Sequence, residues 1–412
     1  MLGEIFLMKV INLVSKPLNI LLNLITRLRV NALFCFFSCL LLLPMVLAPL
    51  AASQAAVPIP APPDVAAKNY ILIDFVSNNV LAEKDADVQI EPASITKLMT
   101  AYVVYNELEA GRLTMDDQVT ISEKAWRMGG SRMYLEVGSK VPVHELLKGL
   151  IIQSGNDASV ALAEHVAGTE KAFVALMNQY AHKLGMDSTH FMNCTGWPDK
   201  QHLTTARDIS KLAKAIIRDF PDHYKLYSQK EYTYNNIKQY NRNKLLWRDE
   251  SVDGLKTGHT ESAGYCLVTS AKRADTRLIS VVLGTDSKKA RASVSQALLN
   301  YGFRFFETHL LYNAGEELSR PRVWKGEQEN ISVGLPESLY VTIPRGAYDD
   351  LHASMDIDKT IEAPVKKGDV LGEVKITDNG EMVDSMSLVA LESVDKGNLF
   401  QIIKDYFLRL IE

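Results

Sequence analysis

The chain has 412 residues, too many for one ordinary domain, and its 45 Lys+Arg against 49 Asp+Glu give a formal net charge of -4. That balance excludes a broad basic surface for nucleic acid. Four cysteines are too few for a disulfide-built scaffold.

The first 55 residues differ in texture from the rest. Lys9, Lys16, Arg27 and Arg29 precede "NALFCFFSCLLLLPMVLAPLAA" (31–52), which carries no charge, and small residues follow at Ser53 and Ala55. A basic start, an apolar run and a small-x-small site predict an export signal over 1–55. A retained anchor is the alternative, weakened by Pro44 and Pro49. Either way the body is expected outside the cytoplasm, and Met8 is a second candidate start. Cys35 and Cys39 leave with such a signal; Cys194 and Cys266 remain, as two buried thiols or a bridge.

The Pro- and Ala-rich segment 56–69 reads as an extended linker. "YILIDF", a turn at Ser77-Asn78-Asn79 and "VLAEKD" predict a hairpin. Residues 94–110 read as a helix closed by Gly111, and four further segments, 142–153, 157–168, 170–185 and 205–220, show apolar residues at i, i+3, i+4 spacing. "YCLVTSAKR" and "TRLISVVLGT" then predict two buried strands, followed by a helix over "KKARASVSQALLNYGFRFF". Strands on both sides of a helical insert predict an α/β (α+β) domain over 70–311, its sheet assembled from distant pieces. From 312 to 396 short apolar runs are cut by Pro and Gly, with a hairpin signal at Asn379-Gly380, and a small all-β sandwich or barrel is expected. The tail, 397–412, places Leu399, Phe400, Ile402, Ile403, Tyr406, Phe407, Leu410 and Ile411 on one half of a helical wheel. It is too short to span a bilayer. It suits the membrane surface, or packing on the β domain.

Chemistry enters at "EPASITKLMT", where Ser94 and Lys97 stand at i and i+3 on one face of a helix start. Alone this is weak: Ser393 and Lys396 repeat the spacing in a segment that reads as solvated loop, and Ser77-Asn78-Asn79 imitates a Ser-x-Asn element. Order and context add specificity. Ser154-Gly155-Asn156 lie in the break between two helices, and Lys256-Thr257-Gly258 enter the strand leading to "AGYCLV". Ser-x-x-Lys, Ser-Asp-Asn and Lys-Thr-Gly in that order mark penicillin-binding proteins and class A β-lactamases, and Gly155 is a departure from the middle element. His144-Glu145 lacks the second His of a zinc protease, no phosphate-binding glycine loop occurs, and Tyr102 and Tyr105 read as helix packing. No metal or cofactor is expected.

On these three motifs, the β segment and the tail, residues 70–412 resemble a low-molecular-mass penicillin-binding protein, a serine D-alanyl-D-alanine carboxypeptidase of the periplasmic, tail-anchored type. The resemblance implies a penicillin-binding, β-lactamase-like domain, a C-terminal β-sandwich and an amphipathic anchor on the periplasmic face of the inner membrane. It implies Ser94 as nucleophile, Lys97 as general base with Lys256 depressing its pKa, Ser154 as proton relay and Asn156 as orienting group. The His259 backbone N–H would serve the oxyanion, and Thr257, Gly258, Thr260 and Arg291, with Arg242, would hold the substrate and its carboxylate. Implied partners are peptidoglycan stem peptides ending in D-Ala-D-Ala, β-lactams and the membrane surface, not nucleic acid. A β-lactamase or DD-endopeptidase on the same fold, or a non-catalytic wall-binding protein, remain alternatives. The loop 185–204 holds no glutamate for fast β-lactam turnover, and Asp199 is a weak stand-in.

Overall fold

A computed structural model describes residues 59–409. The export-signal expectation for 1–55 lies outside the described residues, as do Leu410 and Ile411 of the tail pattern.

The central sheet has five antiparallel strands: β1 (Asn69–Asp74), β2 (Val80–Lys84), β3 (Val252–Thr260), β4 (Gly264–Arg273) and β5 (Thr276–Thr285). Their order is β2-β1-β5-β4-β3, so β1 pairs with β5 across two hundred residues of chain, Ile71 opposite Val281. Side chains alternate between faces with the two-residue period of a strand. Ile71, Ile73, Val268, Ile279 and Val281 enter the larger core, while Leu72, Leu267, Leu278 and Val282 enter a second core on the other face. That double burial explains why these strands read as continuous apolar runs.

Helices α1 (Lys97–Glu109), α2 (Asn156–Ala167), α3 (Glu170–Lys183) and α4 (Ala206–Asp219) contribute to the larger core. α5 (Lys288–Phe305) covers the opposite face. Their ends carry the expected chemistry: the side chains of Thr169, Thr205 and Ser287 accept from Ala172 N, Asp208 N and Ala290 N, and Gly168 terminates α2 in the left-handed region. Gly302 lets α5 approach the sheet, since a Cβ there would sit 2.5 Å from Leu278 Cδ1.

Two predicted helices are refined. One 3-10 turn, Ala93–Thr96, precedes α1, so Ser94 lies on that turn and Lys97 opens the α-helix. The single helix expected over 142–153 is a short α-helix, Val143–Lys148, followed by a π-helical turn, Gly149–Gln153. Its widening falls against Met133, whose Sδ would lie 2.3 Å from a Cβ at Gly149.

α5 ends at Phe305, and Phe306–Tyr312 pairs antiparallel with Leu339–Pro344. By pairing, the β-rich part starts at Phe306 rather than at the expected 312; that first strand contains no Pro or Gly, so composition does not mark it. A second sheet runs in the order Glu317–Ser319, Val333–Gly334, Glu381–Ala390, Val370–Asp378, Leu351–Ile357 over its own apolar core. The Asn379-Gly380 turn joins two of these strands, with both residues at positive φ. A polar joint links the two portions: Thr308 Oγ1 donates to Asp74 Oδ2 at 2.7 Å, Asn79 Nδ2 to Thr342 O at 3.0 Å, and the Ser77 and Thr342 hydroxyls meet at 2.6 Å.

The tail forms α6 (Leu399–Leu408), opened by a capping box of Asn398 and Gln401. It rests on the β domain by its polar side. Buried Asp405 accepts from Arg322 Nη2 at 3.0 Å and Lys325 N at 2.6 Å, Lys404 pairs with Glu329 at 2.7 Å, and Arg409 pairs with Glu362. The apolar side faces outward, with Leu399 73% and Phe400 77% exposed. The helix does pack on the β domain, as one of the two expectations had it, but by its polar side, which leaves the apolar side uncovered. Among the described residues no helix is long and apolar enough to cross a membrane.

Candidate active site

Three chain breaks converge where α1, α2 and β3 meet. Ser94 is only partly buried, whereas Lys97 below it is 1% exposed. A 3-10 turn eclipses i and i+3, which brings Lys97 Nζ to 3.1 Å from Ser94 Oγ. Nζ also lies 2.7 Å from Asn156 Oδ1 and 2.6 Å from the Thr195 carbonyl. The Asn156 amide cannot turn round, because its Nδ2 donates to Gly129 O at 2.7 Å. A neutral amine has two N–H donors and one lone pair. With both N–H groups of the neutral amine on Asn156 Oδ1 and Thr195 O, its lone pair is free to accept the Ser94 O–H; in the charged form the third N–H points at Ser94 Oγ instead. Burial pushes the Lys97 amine down to about 7.

Arg242 is a cationic neighbour that lowers Lys97 further, and the repulsion between Lys97 and Lys256 disfavours a charge on both amines at once. Lys256, also buried, is held well below its ordinary value first by burial and then by Lys97, Arg242 and Arg291. Its Nζ donates to Thr257 O at 3.3 Å. Ser154 ends the π-helical turn at φ +67, and its buried Oγ has no hydrogen-bond partner among the described residues. Ala93, beside Ser94, is also at positive φ (+48), so two of these chain breaks hold non-glycine residues in a strained conformation.

Residues 56–287 match the D-alanyl-D-alanine carboxypeptidase family, and 306–396 match the C-terminal domain of penicillin-binding protein 5. The chain belongs to the D-alanyl-D-alanine carboxypeptidase family. Among similar proteins, D-alanyl-D-alanine carboxypeptidase DacA of Escherichia coli (strain K12) is 44% identical over 84% of this chain and 88% of its own length. DacC of the same organism is also 44% identical, with the same two coverages. The fold resembles penicillin-binding protein 5 from Haemophilus influenzae, with a TM-score of 0.80 and 41% identity over 82% of this chain and all of that one.

Two cavities of this family member open beside Ser94. One, of about 490 Å³, holds Ser154, Thr257, Gly258 and His259 with the cations Arg242, Lys244, Lys288 and Arg291. Arg291 is buried, and one guanidinium nitrogen donates to Gly258 O at 3.0 Å. Burial pushes its pKa down to about 10. The His259 side chain stacks on Tyr265, and burial, then Arg291 and Lys288, lower its pKa. Thr260 lines the other cavity, of about 640 Å³, with Asn156, Trp197 and Glu261.

Sequence reasoning missed the supports. Asp157 gathers the backbone N–H groups of Met133, Tyr134 and Leu135 at 3.0 to 3.3 Å, which fixes the wall loop carrying Ser131. Asn193 Oδ1 does the same for Thr195, Gly196 and Trp197. Gly196 passes so close to the Ser94 turn that a Cβ would lie 1.8 Å from Ala93 O. The only local signals were an Asp directly after Ser-Gly-Asn and a Thr-Gly pair inside the loop. Asp199 does not enter the cluster; its carboxylate accepts from Gln201 N at 2.8 Å. Cys194 and Cys266 are buried free thiols, and Cys194 Sγ donates to Glu170. Ser393 is exposed and its Oγ accepts from Lys367 N, away from this cluster.

Proposed function

We propose that Ser94 carries out the D-Ala-D-Ala carboxypeptidase reaction of this family on peptidoglycan stem peptides. The observation that carries the assignment is the depressed, fully buried Lys97 amine within hydrogen-bond reach of Ser94 Oγ. Neutral Lys97 takes the Ser94 proton as Oγ attacks the carbonyl before the terminal D-alanine. The backbone N–H groups of Ser94 and His259 hold the oxyanion. Ser154 passes the proton to the departing D-alanine nitrogen, and Asn156 orients Lys97 and the substrate amide. Thr257, Gly258, Thr260 and Arg291, with Arg242 nearby, hold the substrate and its carboxylate, a role suited to the guanidinium fork. Water then cleaves the Ser94 ester and regenerates both groups. Penicillins acylate the same oxygen, and the absence of glutamate from loop 185–204 favours a long-lived adduct.

The outward apolar face of α6 supports attachment to a membrane surface, and the export-like sequence over 1–55 supports a periplasmic location at the inner membrane. We read 70–311 as the catalytic domain, 312–396 plus the strand before it as a β domain that lifts it from the surface, and 397–412 as the anchor.

The test mixes the purified mature chain with fluorescent penicillin and with a peptide ending in D-Ala-D-Ala. Stable labelling with release of D-alanine is expected, and Ser94→Ala should lower both by ~10³-fold or more. Rapid loss of label identifies a β-lactamase instead, and no label identifies a binding protein.

A further inference from the structure

A second concentration of positive charge lies at the other edge of the central sheet. In the order β2-β1-β5-β4-β3, Lys256 and its neighbours stand on β3, whereas a cavity of about 410 Å³ opens between α4 and the β1-β2 edge. Arg207, Lys211, Lys214 and Arg218 line it at i, i+4, i+7 and i+11, one face of α4. Like charges at that spacing repel one another, and no carboxylate stands on the cavity wall. Ile71, Ile73 and Val80 supply an apolar side.

The four cations are not equivalent. Arg207 is committed to Glu83 and Asp87, at 2.6 and 2.8 Å, and Lys211 to Asp208 at 3.1 Å, so these two tie α4 to its surroundings. Arg218 pairs with the adjacent Asp219 at 2.6 Å and is largely exposed. Lys214 forms no ion pair among the described residues; its Nζ donates to Asn78 Oδ1, a neutral amide oxygen on a turn residue at φ +64. This half-buried amine is held below its ordinary value first by burial and then by Arg218, against the pull of Asp74 and Glu337. A partly buried cation that meets only a neutral oxygen carries a desolvation cost, and an anion entering the cavity supplies the missing counter-charge.

We propose that this cavity is a binding site for a phosphoryl group, from a lipid headgroup or a soluble phosphate, held by Lys214 and Arg218. A phosphoryl group has enough charge and enough terminal oxygens to engage an ammonium and a guanidinium together. The site lies at the edge of the sheet away from β3, and it stands independently of the Ser94 reading.

The test is calorimetric titration of the purified mature chain with inorganic pyrophosphate and with dihexanoylphosphatidylglycerol below its self-association concentration, both in about 0.15 M NaCl to screen diffuse attraction. Saturable binding with a Kd below about 1 mM is expected for at least one probe. Lys214→Gln/Arg218→Gln should weaken it by about tenfold or more, with unchanged far-UV circular dichroism, and Lys214→Arg, which keeps the charge, should retain it. A tighter hold on pyrophosphate marks a soluble phosphate as the source. A tighter hold on the short-chain lipid, whose chains gain from the apolar side, marks a headgroup. No binding of either probe overturns the proposal. So does binding that is unchanged in the double variant, whichever other cationic surface holds the ion.

Discussion

Lys97 is surrounded by acceptors yet pushed toward neutrality, and the cost of that arrangement is measurable. Its pKa falls from an ordinary 10.5 to about 7 on folding. Between those values the unfolded chain binds the proton and the folded one does not, so stability rises with pH from about 7 to 10.5 and is reduced below 7. Lys97→Met removes that penalty but strands Asn156 Oδ1 and Thr195 O. A net gain of about 1–3 kcal/mol at pH 7 is expected in denaturant unfolding, shrinking as pH approaches 10, with labelling lost. In the wild type, acylation should rise with pH through about 7 and then level off, since only the neutral amine accepts a proton. An acylation rate that is flat from pH 5 to 9 would remove Lys97 as the base. The Ser94–Lys97 pair was legible because i, i+3 geometry is local. Thr195 and Asp157 were not, because they act through loops brought in by tertiary packing, and no periodicity reports a backbone carbonyl.

For whole elements, periodicity is informative about faces and silent about which face meets a neighbour. The tail pattern showed an apolar half and a polar half; the structure shows that Asp405, Lys404, Gln401 and Arg409 do the docking. With its apolar side already pointing outward, α6 can meet a surface without detaching. Replacing Phe400, Ile403 and Phe407 with Glu should therefore abolish co-sedimentation with phospholipid vesicles while soluble-substrate turnover stays within about twofold. Unchanged sedimentation would eliminate α6 as the attachment element. The strand Phe306–Tyr312 escaped sequence reading for a related reason: it follows an amphipathic helix without punctuation, and only its partner Leu339–Pro344 defines it.

Across the whole molecule, the β domain is held to the central sheet through Asp74. This buried carboxylate accepts from Val76 N, Ser77 N, Ser77 Oγ and Thr308 Oγ1. Asp74→Ala strands those donors and should cost about 2–4 kcal/mol. Thr308→Val removes one bond across the joint for about 1 kcal/mol, and should broaden the distribution of dimensions in small-angle scattering without loss of penicillin labelling. Scattering identical to wild type would mean that the remaining contacts alone fix the joint. The two-part architecture was legible from composition; the joint was not, since Ser77 and Asn79 read simply as turn residues.

The pairing of β1 with β5 also sets a timetable. A chain emerging from its N-terminus meets the hydroxyl and amine of the first motif early, but the strand that completes the sheet beside β1 arrives only with residues 276–285. Such distant pairing makes closure slow relative to helix formation. The helical insert can gather while β1 still waits for β5, so the central sheet is among the last parts of this polypeptide to close.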